Sequence, residues 1–228
     1  MEEQAVTVHR ILTALVAAAA LSLTACGSSI STSGANSKEF FVLADGYVWQ
    51  YTHVDHTELY EVWYMGERQL DGVDVHVLSW KFGTAQELAL DEAEAEPALF
   101  FMDTYWSKTD DGVLFWGAGA VDNTGGLGAW DEVFYADSLL FAGVDLYPGD
   151  AVSSSSNGES WSSEFVDSVD EVETFGGTFQ SVMQVTFDHD EESSPFGGDW
   201  YLARNTGIIQ FQIRNSPVEL WTLNRVDF

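Results

Sequence analysis

Short runs of alternating apolar and polar residues recur through the chain after position 40. A two-residue period places successive side chains on opposite faces of a β-strand, whereas the apolar positions of a helix recur every three or four residues. Val73, Val75 and Val77 show the two-residue period most strictly. The pattern predicts strands at residues 47–51, 59–65, 73–79, 99–106, 113–116, 134–140, 160–172, 179–187, 200–203, 208–213 and 218–226.

Turn sequences separate these strands at short intervals. Asp71-Gly72 and the Asp-Asp-Gly within residues 108–112 are typical of tight hairpin turns. The glycine-rich residues 117–128 predict a loop without phosphate-loop spacing, because no Lys-Ser or Lys-Thr pair follows the glycines. Residues 153–156 are all serine, and they fit either a polar link or the outer part of a strand edge.

One segment departs from the β pattern. Residues 85–98, AQELALDEAEAEPA, predict a short helix-like insertion that ends at Pro97. Crossover helices of the kind that connect parallel strands are missing elsewhere. We therefore predict an all-β fold: a single antiparallel, strongly curved sheet or open half-barrel of about 10–11 strands, with one helix-like insertion.

The amino-terminal region has a different pattern. An apolar run at residues 11–23 follows His9 and Arg10, and its length fits a secretory signal better than a membrane span. It closes with Leu23-Thr24-Ala25-Cys26, which resembles a bacterial lipobox. In lipoproteins with this motif the cysteine thiol is diacylated, the signal is cut before the cysteine, and the new amino terminus is usually acylated too.

The lipobox resemblance implies lipidation, for example with palmitate, at Cys26 and anchoring in a membrane of the bacterial cell envelope. Gly27, rather than Asp, follows the cysteine, which resembles an outer-membrane address. The alternative is an ordinary signal peptide with a cysteine near its cleavage site. The expected organisation is a signal peptide at residues 1–25, an acylated cysteine with a flexible tether at 26–39, and one β-rich domain at 40–228.

Composition narrows the function. The formal net charge is −29, and removal of Glu2, Glu3 and Arg10 with the signal would leave −28. Such a surface repels nucleic acid and anionic lipid headgroups, so neither is an expected partner. The acidity fits a solvated surface or the binding of divalent cations. Cys26 is the only cysteine, so the fold has no disulfide.

Candidate sites for chemistry are weak. His53-Val54-Asp55-His56 resembles part of a metallo-hydrolase motif, but zinc needs three or four well-placed ligands. Asp188, Asp190 and Glu192 alternate as calcium ligands do, yet the sixth and twelfth positions of an EF-hand would be Ser193 and Asp199. No nucleophile elbow occurs. We expect no metal site, no cofactor and no catalytic residue.

Several stretches resemble a large set of uncharacterised bacterial secreted proteins and lipoproteins. They are the opening FFVLADGYVWQY at residues 40–51, the turn at 146–150, the strand start Gly-Thr-Phe at 177–179, and Trp-Tyr-Leu-Ala leading to Gly-Ile-Ile at 200–209. The resemblance implies a curved antiparallel sheet similar to that of the lipoprotein carriers LolA and LolB. It implies no catalytic residues.

The aromatic residues exceed what a core of this size strictly needs. Most belong to the core, but a concave sheet face lined by some of them could hold a lipid, a sugar or a peptide. The expected function is that of a non-enzymatic envelope lipoprotein that binds a hydrophobic ligand or a protein partner, or acts as a scaffold. The alternatives are a carbohydrate- or calcium-binding surface module, and a hydrolase with an unrecognised carboxylate pair. The tryptophans considered for such a face are Trp63, Trp80, Trp106, Trp116, Trp130, Trp161 and Trp221.

Overall fold

A computed structural model describes residues 34–54, 58–84, 88, 100–120, 133–156, 158–189, 197–213 and 219–227. Within the described residues a short 3-10 helix, Ser37–Glu39, comes first and twelve β-strands follow it, while Leu88 is also helical. The strands are β1 (Val48–His53), β2 (Glu58–Leu70), β3 (Val73–Thr84), β4 (Phe100–Lys108), β5 (Gly112–Ala120), β6 (Val133–Gly143), β7 (Ala151–Ser156), β8 (Glu159–Thr174), β9 (Gly177–His189), β10 (Gly198–Ala203), β11 (Gly207–Ile213) and β12 (Glu219–Asp227).

These strands form one antiparallel sheet that nearly closes into a barrel, so the all-β prediction is confirmed. The order is β6-β5-β4-β3-β2-β1-β12-β11-β10-β9-β8-β7, which makes every chain-consecutive pair a neighbour except β6 with β7. The sheet has twelve strands, against about 10–11 predicted, and of the two predicted forms it is the strongly curved sheet, here nearly closed. The additional strand is β7, in which Ser154 pairs with Trp161 of β8. Pairing with β8, rather than any apolar pattern, therefore makes the serine run a strand.

The edges of β6 and β7 face each other at what we call the seam. Here serine hydroxyls form hydrogen bonds to the main chain: the amide of Asp137 donates to Ser156 Oγ at 3.0 Å, and Ser163 Oγ donates to the carbonyl of Phe141. Both serines are buried. Side chains of β7 and β8 therefore bond to β6, although β6 and β7 are not paired through their backbones.

Turns and strand ends agree with the sequence in some places and differ in others. Asp71 and Gly72 have φ angles of 47° and 86°, as the predicted two-residue hairpin turn requires. β5 continues through Gly117 to Ala120, so the first four residues of the loop expected at 117–128 are strand, and residues 121–128 lie outside the described residues. The predicted insertion at residues 85–98 lies outside the described residues except for Leu88.

Alternation along the strands divides the sheet into an inner and an outer face. In β1 the side chains of Trp49, Tyr51 and His53 are buried and those between them are partly exposed. Burial of an aromatic ring removes roughly 150–250 Å² from water, so the inner face supplies most of the stability of the fold. A second cluster of buried residues, Val75, Val77 and Tyr105, lies apart from this core.

Residues 34–43, which we call the strap, pack against one end of the sheet. Ala35 and Leu146 exchange backbone hydrogen bonds of 2.9 and 3.1 Å, and Asn36 caps the 3-10 helix by accepting from the amide of Lys38. The strap residues that precede Phe40 are therefore packed together with the sheet. The strap end, as we call it, carries the turns at 71–72, 109–111, 175–176 and 204–206 and the connection 144–150.

Candidate functional site

The strap is the candidate site, because it follows the predicted lipidation position Cys26 in the sequence and packs against the sheet. Cys26 itself lies outside the described residues. Phe41 of the strap is buried between Trp106 and Phe141, with ring centroids 4.8 and 5.8 Å away. Phe40 is buried beside Arg204, whose guanidinium carbon lies 5.2 Å from the ring centroid. Two aromatic anchors therefore fix the direction in which the chain enters the domain.

Polar contacts hold the strap on both sides of the Phe pair. Ser37 is fully buried, and its Oγ donates to the carbonyl of Ala142 at 2.8 Å. Glu39 forms an ion pair of 2.6 Å with Arg204, and its carbonyl accepts from the amide of Asn205 at 3.1 Å. The strap therefore links β6 to the turn between β10 and β11, which lie far apart in the sheet order.

Lysines add a third connection. Lys108 Nζ donates to the carbonyl of Lys38 at 3.2 Å, and Lys38 Nζ lies 3.7 Å from Asp110. Partial burial lowers the pKa of the Lys108 ammonium. Because its ammonium group donates to a strap carbonyl, Lys108 is better explained as a residue that positions the strap than as a catalytic residue.

A titratable cluster lies near this end on β2 and β3. Tyr64 Oη and His76 Nδ1 are 2.9 Å apart, and Glu67 lies 4.0 Å from the same nitrogen. Partial burial lowers the pKa of His76, and Lys108 acts in the same direction, whereas Glu67 opposes them. Burial, followed by the charges of Glu67 and Asp45, raises the pKa of Tyr64. His76 therefore favours its neutral form.

The inner face of the sheet was the predicted ligand-binding surface, and aromatic rings fill it. Trp200 stacks on Phe211 at 5.3 Å, Phe211 stacks on Trp221 at 6.3 Å, and Trp161 stacks on Phe187 at 4.6 Å between ring centroids. Such contacts are those of a packed core. Trp80, Trp106, Trp161 and Trp221 are buried here, whereas Trp130 lies outside the described residues.

Hydrogen bonds satisfy the indoles inside this core. The Nε1 atoms of Trp80 and Trp106 both donate to Thr104 Oγ1, at 3.0 and 2.7 Å, and that hydroxyl donates to the carbonyl of Leu78 at 3.2 Å. Thr104 is fully buried. Sequence reasoning missed Thr104, because one threonine within a strand gives no signal that Trp80, 24 residues away, meets it together with the nearby Trp106.

A small cavity lies between the strap and the inner face. Its free space of about 10 Å³ is roughly what one water molecule needs, far below the ~300 Å³ or more of a ligand pocket. The wall is largely apolar, and a lipid or a drug-sized molecule would have to displace several core side chains to enter. The lining residues are Phe41, Val42, Trp49, Tyr51, Val62, Leu78, Gly207 and Ile208.

The predicted metal candidates do not form a cluster within the described residues. His53 ends β1, buried, with its ring 4.9 Å from that of Trp221 in a T-shaped contact. Asp188 lies in β9, whereas Asp55, His56, Asp190 and Glu192 lie outside the described residues. Among the residues that the structure does describe, no group of three or more metal-ligating side chains occurs.

Trp63 of the predicted set lies on the outer face, and Trp116 packs against the separate Val75, Val77 and Tyr105 cluster. Trp63 is 38% exposed, and Lys81 Nζ lies 5.1 Å from its ring centroid. Its Nε1 donates to Glu61 at 3.3 Å, and Glu61 accepts from Gln50 at 3.0 Å. An aromatic ring with adjoining carboxylate and amide groups could contact a polar ligand that has an apolar face.

Comparison with known proteins adds little to this geometry. No protein-family model and no curated protein matches the chain. A Bacteroides fragilis structure described as an exported protein with a YmcC-like fold has a TM-score of 0.44 and 15% identity, over 82% of this chain and 98% of that one. A Parabacteroides distasonis structure described as a lipoprotein has a TM-score of 0.41 and 12% identity, over 82% and 97%. Likenesses this distant carry no conclusion about function.

Proposed function

We propose that the protein is a non-enzymatic, lipid-anchored domain of the bacterial cell envelope, held in the membrane through Cys26. The observation that supports this most is the strap. Phe40, Phe41 and the bond from Ser37 to β6 hold the residues that follow Cys26 in the sequence firmly against the sheet. Several acyl chains, at about 0.8 kcal/mol per buried methylene, would make the attachment effectively permanent. No helix within the described ranges is long and apolar enough to cross a bilayer.

The same proposal assigns binding to the outer surface of the domain. The inner face of the sheet is filled by stacked rings, and the cavity beside the strap has room for about one water molecule. A carrier of the LolA type would need an open concave face for its lipid. We therefore favour a scaffold, or a module that binds an envelope protein, over a carrier of hydrophobic ligands. Gly27 after the cysteine favours the outer membrane.

Membrane fractionation tests the anchor. The wild-type protein should be in the membrane fraction and enter the detergent phase on Triton X-114 partitioning. Cys26→Ala should be found uncleaved or in the aqueous phase, whereas Ser28→Ala, a control that keeps the lipobox, should behave as wild type. Wild-type protein in the aqueous phase would contradict the proposal.

A second candidate function rests on Trp63. Gln50, Glu61 and Asn224 form a hydrogen-bonded row across β1, β2 and β12, with Asn224 donating to Gln50 at 3.1 Å. Together with the Trp63 ring, this row provides the stacking surface and planar polar groups that bind carbohydrates. Titration with cell-wall oligosaccharides, followed by tryptophan fluorescence, should then give a response that Trp63→Ala abolishes and Met65→Ala leaves intact. The absence of a response in the wild type would remove this candidate.

A further inference from the structure

Exposed large apolar side chains occur on turns at the strap end. Phe175, at the tip of the β8–β9 hairpin, is 63% exposed, and Tyr147, in the connection between β6 and β7, is 51% exposed. Exposure of a phenyl ring at a hairpin tip is unfavourable in water unless something covers it. Single apolar residues on a surface are common, so exposure alone does not indicate a binding surface. The position of these two residues at one end of the sheet is the relevant observation.

Backbone contacts place Tyr147 beside the strap and hold the tip of the β8–β9 hairpin, which carries Phe175, against β12. Tyr147 directly follows Leu146, the backbone partner of Ala35 in the strap. Gly176, next to Phe175, donates its amide to the carbonyl of Leu223 at 2.8 Å. A side chain at Gly176 would lie 2.9 Å from the carbonyl oxygen of Asn224, so the hairpin tip is tied closely to β12.

Chain length limits which end of the domain can approach a membrane. Cys26 precedes Gly34 by eight positions (34 less 26), so the extended chain between them spans at most about 29 Å. β3 has 12 residues; at about 3.3 Å per residue and the usual tilt, the opposite end of the sheet lies roughly 30 Å farther away. With Cys26 anchored, the strap end could therefore reach the headgroups without extension of the chain between Cys26 and Gly34. The opposite end could reach them only if that chain were fully extended.

We propose that the strap end faces the bilayer and that Phe175 and Tyr147 lie in its interfacial layer. This inference rests on the proposed anchor at Cys26. The amphipathic ring of tyrosine favours the headgroup region, and the apolar ring of Phe175 gains free energy when the adjoining acyl boundary removes it from water. The anchor keeps the two rings beside the bilayer, so even a weak preference of each ring is sufficient for contact.

Charge at this end specifies the lipid. Carboxylates outnumber bases here: Asp45, Asp71, Asp74, Asp111 and Asp150 lie in its turns or at the adjoining strand ends. The bases Lys38 and Arg204 at this end are paired with Asp110 and Glu39, and Lys108 is partly buried against the carbonyl of Lys38. Carboxylates beside an anionic leaflet repel it over about 8–10 Å at ordinary ionic strength. The surface therefore fits zwitterionic headgroups such as phosphatidylcholine or phosphatidylethanolamine rather than phosphatidylglycerol.

Depth-dependent quenching on vesicles tests the orientation with the mature acylated protein. Acylation leaves no free thiol at Cys26, so Thr178→Cys on the β8–β9 hairpin and Val54→Cys at the opposite end can each be labelled selectively with the fluorophore NBD. In phosphatidylcholine vesicles that contain doxyl-labelled lipid, the label at 178 should shift to the blue and lose emission. The label at 54, where the native side chain is also exposed, should do neither.

Further arms separate the outcomes. Adding Phe175→Ser to the Thr178→Cys protein should reduce the quenching, and exchanging part of the phosphatidylcholine for phosphatidylglycerol should reduce it at low salt but not at high salt. Equal quenching at 54 and 178 in protein that floats with vesicles overturns the orientation alone. Protein that does not float overturns the anchor and the orientation together. Quenching at 178 that Phe175→Ser leaves unchanged overturns the role of the ring.

Discussion

The interior of the sheet and the strap end are held together by different forces. Inside, ring contacts such as Phe141 with Trp106 at 5.2 Å and with Phe187 at 5.3 Å bury apolar area, which neither salt nor moderate pH changes affect much. At the strap end, specific contacts such as Ser37 to Ala142 and Glu39 to Arg204 supplement the buried Phe pair. The comparison indicates that the strap can loosen while the fold persists.

The largest predicted effect concerns the interior. Phe141 is fully buried and contacts four aromatic rings, so Phe141→Ala should lower the free energy of unfolding by about 3–5 kcal/mol. Phe175→Ala removes the same atoms from an exposed position and should change it by less than about 0.5 kcal/mol. Urea denaturation of both variants measures the difference, and similar midpoints would contradict the assigned burial.

The second-largest predicted effect on stability concerns the hydroxyl of Thr104, which accepts hydrogen bonds from two indoles. Thr104→Val keeps the side-chain shape but leaves the Nε1 atoms of Trp80 and Trp106 without their acceptor, at a cost of about 2–4 kcal/mol. Thr222→Val is the matched control, because Thr222 Oγ1 is buried and accepts no hydrogen bond from the described residues. Thermal unfolding should show a large loss of stability only for Thr104→Val; equal losses would refute the hydrogen-bonding role.

Loosening of the strap should be smaller and local. Ser37→Ala leaves the carbonyl of Ala142 without its buried donor, which should favour strap opening by about 1 kcal/mol, or roughly fivefold. Trypsin cleavage after Lys38, identified by mass, reports this opening. Arg204→Gln should increase cleavage less, because an exposed ion pair contributes only about 0.2–1 kcal/mol. Wild-type cleavage rates in Ser37→Ala would show that this bond does not hold the strap.

The smallest predicted effect is a pH dependence. The pKa of His76 is lowered by burial in the folded state, so the unfolded chain binds a proton more readily. Stability from His76 is therefore complete above its ordinary pKa of 6.5 and is lost as the pH falls below that value toward the folded pKa. In His76→Gln, the melting temperature should fall less than in the wild type between neutral pH and pH values just below the ordinary pKa. A slope as steep as that of the wild type would exclude a contribution from His76.

Much of the fold could be predicted, because alternation and turn chemistry are local properties. Asp71-Gly72 gave the correct hairpin, and the runs around Val75 and Val185 gave correct strands. β7 gave no clear signal, since its serines form a strand through the pairing of Ser154 with Trp161. Ser181 has a φ of 54° within β9, a local kink that the uniform apolar pattern of that segment does not reveal.

The candidate site was less predictable. Phe40 and Phe41 were visible as an apolar pair, but composition alone assigned residues 34–39 to a flexible tether, whereas Ser37 is buried against β6. That contact joins positions 105 residues apart, and no local pattern encodes it. Filling of the inner face likewise depends on how rings from distant strands meet. The sequence alone therefore could not distinguish a packed core from a concave binding face.

The central claim is that Cys26 carries the lipid that holds the strap end at the membrane. Mass spectrometry of the amino-terminal tryptic peptide from the purified mature protein tests it most directly. The account predicts a peptide that begins at Cys26, ends at Lys38 and carries the added mass of a diacylglyceryl group, with or without a third acyl chain. An unmodified peptide, or one that begins at any other residue, would contradict it.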